Sequence, residues 1–208
     1  MTRLRITFAK QGALRYTGHL DLHKIWERTA RRAELPLAYS QGFHPQPKIN
    51  LASALPLGFS SRCEVLDMWL KSEIPLNGLR DQIQQAVPSG LQIANVEFVD
   101  DRLPPLQTLV IAAEYETTLT EPTDLSELKR RVKDTLESES IPRERRGKSY
   151  DLRPLIEELT LTPLQEVKVF MRLAAREGAT GRPEEVLDHL GIPVDTVRVE
   201  RTRLIFRD

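Results

Sequence analysis

The stretch HLDLHKIWERTARRA, residues 19–33, carries apolar or small side chains at intervals of three and four residues. This spacing places them on one face of an α-helix. The preceding residues 2–8, TRLRITF, alternate polar and apolar side chains, which is the period of a half-buried β-strand. This region therefore predicts a strand followed by an amphipathic helix. The predicted buried face of the helix consists of Leu22, Trp26, Thr29, Ala30 and Ala33.

The rest of the first half extends this pattern to a complete unit. Two strand-like segments, a helical segment closed by Pro88 and Gly90, and another strand follow at 47–53, 63–71, 76–87 and 91–99. The order β-α-β-β-α-β is the split βαβ pattern of a ferredoxin-like domain. We expect residues 1–100 to form one such domain, and the paired prolines of DRLPPL (101–106) predict a linker after it.

The second half repeats this order of elements less regularly. A strand at 107–119 precedes a helix that Asp124 caps and that runs to about Glu137. One or two strands in 141–162, a strand at 165–174, a helix at 182–190 and a strand at 194–206 follow. The predicted fold class is α+β, with two tandem ferredoxin-like (βαββαβ) units that have antiparallel sheets, the second over residues 107–208.

The composition excludes several classes of protein. A single cysteine, Cys63, cannot form an internal disulfide or hold an iron–sulfur cluster, and the histidines lack the usual zinc-ligand spacing. Phosphate-loop, dinucleotide-binding and serine-hydrolase motifs do not occur in the sequence. No apolar run approaches the roughly 18–20 residues that span a bilayer, and the N-terminus lacks the apolar region of a signal peptide. We expect a cytoplasmic protein with no metal, cofactor or membrane partner.

The charge is unevenly distributed along a chain whose formal net charge is zero. Residues 1–60 contain nine Lys and Arg against three Asp and Glu, a net charge of +6. Residues 140–153 contain five cations against two acids, a net charge of +3. Two basic segments in an otherwise acidic chain are typical of a localised site for a polyanion.

The basic and aromatic residues of these segments form a candidate nucleic-acid interface. The outer side of the 19–33 helix is a cationic stripe, preceded by an Arg-Tyr pair and followed by an unusually long Pro- and Gly-rich connection at 35–58. Cations bind phosphates, and aromatic rings stack on bases. The alternative is a solvated helix face with a Glu27–Arg31 pair and an ordinary charged hairpin near 145. The candidate residues are Arg15, Tyr16, Lys24, Arg28, Arg31, Arg32, Tyr39, Phe43, His44 and Lys48, with Arg145, Arg146 and Lys148 from the second half.

A catalytic alternative rests on His19, Asp21 and His44. If the helix and its following connection bring them together, they supply a general acid, a general base and an orienting carboxylate. The structural alternative is that Thr17 or His19 caps the helix and Asp21 favours the positive end of its dipole.

The run RYTGHLDLHKIWERTARRAELPLAYSQGFHPQPKINLASALPLGFSSRCEVLDMWL (15–70), with KSYDLRPLI (148–156), resembles the radical-SAM-linked protein family, a domain-of-unknown-function family. The resemblance implies association with a radical-SAM protein, and family neighbours often handle RNA. Members often have a second histidine or another residue two positions after the equivalent of His44, where this chain has Gln46. The absent cysteine triad implies that the chain is not itself the radical enzyme. Paired ferredoxin-like domains with a basic cleft also resemble RNA-handling folds such as pseudouridine synthases and CRISPR repeat-processing endoribonucleases.

The sequence therefore favours an RNA-binding accessory protein of a radical-SAM enzyme, with a basic, aromatic-lined groove for tRNA or rRNA. Two alternatives remain open. One is an enzyme that processes or modifies RNA through His19, Asp21 and His44, and the other is a module that docks to a radical-SAM partner.

Overall fold

The chain is divided into two compact units, Met1–Val110 and Ile111–Asp208. The structure is a computed structural model that describes residues 1–163 and 166–207. In both units helices pack on antiparallel strands, so the predicted α+β class is confirmed.

The first unit contains one antiparallel sheet and three helices within its described residues. Its elements are β1 (Thr2–Lys10), α1 (His19–Arg32), β2 (Ile49–Leu51), β3 (Ser60–Leu70), α2 (Leu79–Ala86), β4 (Leu91–Val99) and α3 (Leu106–Leu109). The strands lie in the order β2-β3-β1-β4, and every neighbouring pair is antiparallel. The predicted order β-α-β-β-α-β is therefore observed over residues 2–99.

The core of the first unit joins α1 and α2 to one face of this sheet. The inward face of α1 buries Leu22, Trp26 and Ala30, as its spacing predicts. Trp26 meets Phe8 of β1 edge to face, with ring centroids 4.7 Å apart. A buried aromatic pair of this geometry contributes roughly 0.5–1.5 kcal/mol beyond its buried area. Leu79 and Ile83 extend the same core from α2.

The start of α1 differs from the prediction. The N-cap is Gly18, with extended backbone and no side-chain capping hydrogen bond, so neither Thr17 nor His19 caps the helix. Asp21 does lie in the first helical turn. Glycine is an acceptable N-cap because it leaves the first backbone amides open to solvent.

Buried charges occupy the second face of β1, which the sequence pattern predicts to be exposed. Arg3 is 1% exposed and donates to Asp67 at 2.6 and 2.8 Å. Its guanidinium also donates to the carbonyl oxygens of Leu103 and Pro104, and it lies 5.0 Å from the ring centroid of Trp69. The segment after β4 therefore covers this end of the strand.

The second unit also contains antiparallel sheet strands, and it has a separate two-stranded hairpin. Its elements are β5 (Val110–Leu119), α4 (Leu125–Glu137), β6 (Pro142–Arg145), β7 (Lys148–Asp151), β8 (Ile156–Pro163), β9 (Val167–Arg176), β10 (Ala179–Thr180), α5 (Pro183–His189) and β11 (Val197–Phe206). β9 forms antiparallel pairs with β5, β8 and β10. β11 lies next to β5. β6 and β7 pair only with each other among the described strands.

Three predictions for the second unit can be compared with this structure. Asp124 caps α4, because its side chain accepts from the amides of Ser126 and Glu127, as predicted. Residues 141–162 form three strands where one or two are predicted. The start of the predicted strand 165–174 lies outside the described residues, and β9 is observed from Val167.

No helix in the described part of the chain is both long enough and apolar enough to cross a membrane.

Candidate nucleic-acid interface

The outward side of α1 presents two rows of side chains. One row consists of Lys24 and Arg28, which are exposed. The other consists of His23, Glu27 and Arg31, spaced four residues apart, which places them on one line along a helix. His23 Nε2 lies 3.3 Å from the carbonyl oxygen of Ile49, so this second row borders β2.

The connection after α1 is an ordered arm, which we define as residues 38–48. The amide of Ala38 donates to the carbonyl of Trp69 at 2.7 Å, and the amide of Lys48 donates to the carbonyl of Ala38 at 2.9 Å. The amide of Trp69 donates in turn to Lys48 at 3.0 Å. These bonds fix the two ends of the arm against Trp69 of β3.

The tip of the arm, residues 41–45, is closed by its own hydrogen bonds. The amide of Ser40 donates to the carbonyl of Gln46 at 2.8 Å, and the amide of Gln46 donates to Ser40 Oγ at 2.9 Å. Gly42 has a φ of 127°, which a side chain rarely permits. The tip is therefore a defined turn whose five residues are all exposed.

Phe43 stands at this tip with a relative exposure of 102%. Burying a phenylalanine side chain is worth roughly 1.5–3 kcal/mol, so full exposure leaves this energy available for binding. His44 beside it is also exposed. An aromatic ring held in this way has both faces open to a flat partner.

Arg31 links the arm to α1. It donates to Glu27 at 2.5 Å, and its pKa is raised chiefly by a hydrogen bond to Tyr39 and also by Glu27. Tyr39 lies at the base of the arm, bridged to Pro47. The structure therefore brings Arg31 of α1 and Tyr39 at the base of the arm together.

Arg15 and Tyr16 lie before α1, in a single 3-10 turn from Gly12 to Tyr16. Arg15 donates to the Tyr16 hydroxyl at 2.6 Å, and its Cζ atom lies 4.7 Å from the Tyr16 ring centroid. Tyr16 remains 62% exposed. Arg15 thus covers part of the Tyr16 ring, so Tyr16 offers less surface for base stacking than Phe43.

Arg32 lies apart from the other cations of α1. Its Nη1 donates at 3.0 Å to the carbonyl of Ala86, at the C-terminal end of α2, where helix carbonyls lack helical partners. The predicted stripe of four cations is therefore three cations on the outer face and one that binds α2. Lys48 is half-buried, and its Nζ lies 3.7 Å from Met1 Sδ.

The charge excess of residues 1–60 is also smaller at the surface than the sequence suggests. Arg3 and Arg5 both bind the buried carboxylate of Asp67. Lys10 is 1% exposed and donates to the carbonyl of Thr17 at 2.8 Å. These three cations stabilise the fold and are separate from the outer face of α1.

His19, Asp21 and His44 do not share a hydrogen bond or ion pair in the described structure. Asp21 lies 3.5 Å from Lys24, and His44 is at the tip of the arm. The pKa of His19 is lowered by burial and by neighbouring His23. No group of three or more His, Cys, Asp or Glu side chains within residues 1–163 and 166–207 is arranged to hold a metal ion.

The hairpin of β6 and β7 carries the basic residues of the second unit. Its two-residue turn is Arg146-Gly147, with φ values of 49° and 74°, as in tight hairpins of the primed type. Arg146 and Lys148 are exposed, and Arg145 is half-buried. A cleft of about 450 Å³ lies beside this hairpin and is also lined by Arg182. Sequence reasoning missed Arg182, because it lies 34 positions after Lys148 and only the pairing of β10 with β9 reveals its place.

The fold and this surface define a mixed α+β protein with an antiparallel sheet, a cationic helix face and an exposed aromatic tip. Residues 3–183 match the family model DUF2344, described as an uncharacterized protein conserved in bacteria. The chain belongs to this family. A comparison with curated proteins found no match.

Solved structures resemble the chain in fold. A chain of a Cbf5-Nop10-Gar1 complex matches with a TM-score of 0.53 and 11% identity, covering 97% of this chain and 48% of the other. An archaeal box H/ACA sRNP Nop10-Cbf5 complex has a TM-score of 0.48 at 11% identity, with the same coverage of 97% and 48%. An H/ACA RNP bound to a substrate RNA containing 2′-deoxyuridine gives 0.47 at 9% identity, covering 95% and 47%. The chain thus spans about half the length of each of these three solved chains, and the first likeness shows a shared fold.

Proposed function

We propose that this protein is an RNA-binding accessory protein that presents the outer face of α1 and the arm to tRNA or rRNA. The observation that carries the proposal is the fully exposed ring of Phe43 on a closed tip, with the base of its arm bonded to the cationic side of α1. Lys24, Arg28 and Arg31 supply phosphate contacts in this arrangement. Phe43, His44 and Tyr16 supply surfaces for bases.

The energetics favour a single-stranded segment or loop as the bound part of the RNA. Stacking of a base on an aromatic side chain is worth roughly 1–3 kcal/mol, and it requires a base that is not already stacked in a duplex. The phosphate contacts add an affinity that falls with salt and does not depend on sequence. Arg145, Arg146 and Lys148 of the second unit add further phosphate contacts in this proposal.

The resemblance of residues 15–70 to the radical-SAM-linked family supports a radical-SAM enzyme as the protein partner. The strand orders support two ferredoxin-like units. Across the sheet, the order β8-β9-β5-β11 of the second unit corresponds to the order β2-β3-β1-β4 of the first. In this proposal the β6–β7 hairpin is an insertion in the second unit. Catalysis by His19, Asp21 and His44 is not part of the proposal, because no contact in the described structure joins them.

The test is binding of a fluorescent single-stranded RNA and of bulk tRNA across a salt series. We expect wild-type affinity to fall steeply with salt. Phe43→Ala removes one stacked base and is expected to weaken binding roughly 5- to 150-fold, because a loss of 1–3 kcal/mol corresponds to this range. The melting temperature should stay unchanged, because the ring makes no buried contact.

Two variants complete this experiment. Replacing Lys24, Arg28 and Arg31 together by Ala should reduce the slope of log Kobs against log salt by about 2, as expected for three lost contacts to a single strand. Leu76→Ala removes another exposed apolar side chain, on the loop before α2, and should leave RNA binding as it is. Absence of salt-sensitive binding by the wild-type protein would overturn the proposal.

A further inference from the structure

We propose that the cleft between the β6–β7 hairpin and β10 in the second unit binds a nucleoside phosphate, either a free nucleotide or the 5′-phosphorylated end of an RNA. This site is separate from the outer face of α1 and the arm, which belong to the first unit. Arg145 and Lys148 also enter the proposal above as additional phosphate contacts, but the cleft is tested with a small ligand that does not require α1 or the arm.

The cleft has the size of a ligand site. Its volume is about 450 Å³, within the range of roughly 300–1,000 Å³ typical of small-molecule pockets. One wall comes from the hairpin and the other from β10 and the residue that precedes α5. Gly178, at the turn between β9 and β10, leaves the rim open because it has no side chain.

The positively charged lining of the cleft favours an anionic ligand. Of the four charged side chains that line the cleft among the described residues, Arg145, Lys148 and Arg182 are cations and Asp151 is the acid. Asp151 already accepts the backbone amides of Ile141 at 2.7 Å and Arg153 at 2.9 Å, and these two bonds are the main reason that its pKa is lowered. Its charge is thus satisfied by backbone donors, which leaves the cations of the cleft in excess.

The cations retain donors for a ligand. In the described structure the side chains of Arg145 and Lys148 make no hydrogen bond or ion pair. Arg182 forms ion pairs with Glu184 and Glu185 at 4.0 Å, but this distance is beyond hydrogen bonding, so its N–H donors can still bind a ligand. A phosphate monoester carries a charge of roughly −1.5 to −2 at neutral pH and has three acceptor oxygens, which suits a cleft lined by three cations.

Tyr150 gives the cleft a flat wall. Its pKa is raised to about 12, chiefly by burial and by a hydrogen bond to Glu185. Glu185 lines a neighbouring depression with Glu184 and Asp188, and Tyr150 lines both that depression and the cationic cleft. Leu155 contributes a second apolar surface. A ring wall beside three cations fits a base attached to a phosphate better than it fits an inorganic anion.

The experiment is isothermal titration calorimetry on the full chain with ADP, adenosine and sodium pyrophosphate. We expect ADP to bind, pyrophosphate to bind more weakly because it lacks the base, and adenosine to bind at least tenfold more weakly than ADP. Replacing Arg145 and Lys148 together by Ala should weaken ADP binding by at least about tenfold, because the variant removes two charge-assisted contacts to the phosphates. Lys133→Ala removes an exposed cation of α4 in the same unit and should change nothing.

A second titration distinguishes the two sources of the phosphate. Tighter binding of a short oligoribonucleotide with a 5′-phosphate than of the same oligomer with a 5′-hydroxyl would assign the cleft to an RNA end. If the two oligomers bind equally and the separate titration shows ADP binding, the cleft is assigned to a free nucleotide.

Two results would overturn the inference. One is no saturable binding of ADP, pyrophosphate or the phosphorylated oligomer by the wild-type protein, and the other is unchanged ADP affinity in the Arg145 and Lys148 double variant. Phe43→Ala should leave ADP affinity unchanged. ADP binding in a protein that fails to bind bulk tRNA would therefore reject the proposed RNA surface and keep the cleft.

Discussion

At the scale of single residues, Asp67 is the clearest case of a side chain that the fold requires. Its carboxylate is completely buried and accepts four hydrogen bonds from Arg3 and Arg5, at 2.6 to 3.0 Å. The bond to Asp67 is also the main reason that the pKa of Arg5 is raised. Removing one partner of such a cluster leaves buried charge without compensation, which is far more costly than losing a surface pair.

Asp67→Asn should destabilise the first unit by about 3–5 kcal/mol, because Arg3 keeps its charge in a buried place. Urea unfolding followed by far-ultraviolet circular dichroism measures this change. Asp21→Asn is the matched control, since its carboxylate is 68% exposed and lies 3.5 Å from Lys24, and it should cost less than about 1 kcal/mol. A similar cost for both variants would contradict the role given to Asp67.

Residue roles within one helix were only partly predictable from the sequence. Spacing alone identified the buried side of α1 correctly, because periodicity follows from helix geometry. It placed Arg32 with Arg28 and Arg31, whereas a long guanidinium side chain reaches the free carbonyl of Ala86 on another helix. Such a contact depends on where α2 packs, which is not encoded in the local pattern.

At the scale of elements, the 3-10 turn that carries Arg15 and Tyr16 depends on Gly90. The amide of Gln11 donates to the carbonyl of Gly90 at 2.8 Å. Gly90 has a φ of 97°, and a Cβ atom there would lie 2.7 Å from the backbone oxygen of Gln11. Both the backbone conformation and the close approach therefore require glycine.

Gly90→Ala should reduce the free energy of unfolding by at least about 2 kcal/mol, because strain and a backbone clash act together. Gly12→Ala separates the two causes, since Gly12 also has a positive φ of 59° but open space around the added carbon. It should cost roughly 1 kcal/mol. Thermal and urea unfolding of both variants would measure the difference, and equal costs would exclude the clash.

The α4 helix should contribute a distinct dependence of stability on pH. Glu127 accepts hydrogen bonds from Arg130 and Arg131 at 2.7 to 2.9 Å, and these bonds lower its pKa to about 2. Because the pKa in the folded state lies below the ordinary value of 4.5, the stabilisation is complete above about pH 4.5. It is lost as the pH falls toward about 2 and the carboxylate takes up a proton.

Glu127→Gln should therefore flatten the fall of the melting temperature between about pH 4.5 and pH 2. Scanning calorimetry across this range measures the effect. Glu137→Gln on the same helix is the control, since Glu137 lies 3.7 Å from Lys133 and both are exposed. An acid profile of Glu127→Gln identical to that of the wild-type protein would contradict the prediction.

Elements with strong local signals were predicted well, and those without them were not. The Asp124 cap and the buried side of α1 follow from local chemistry. The β6–β7 hairpin was anticipated as a basic turn, but its separation from the sheet was not, because edge pairing depends on distant strands. The sequence indicates an unusually long Pro- and Gly-rich connection where the arm lies, but its closure by Ser40 and Gln46 depends on the folded backbone.

At the scale of the whole molecule, element order was enough to predict the α+β class and the split βαβ order of the first unit. Net charge was less informative. Three of the nine cations in residues 1–60 lie on β1, where they bond to Asp67 or to the backbone of Thr17. A count of charges treats buried and exposed cations alike, which is why the surface excess was overestimated. The count of charges also did not reveal the cleft of the second unit, because Arg182 lines this cleft only when β10 is paired with β9.

The closure of the arm has a consequence for the affinity of the binding proposed above. A flexible loop must lose backbone freedom when a partner docks, and this loss reduces the affinity that its contacts provide. The bonds between Ser40 and Gln46 have already fixed that backbone in the free protein. In the RNA complex proposed above, Phe43 would therefore be pre-organised, and opening the turn would weaken binding while every contacting side chain is still present.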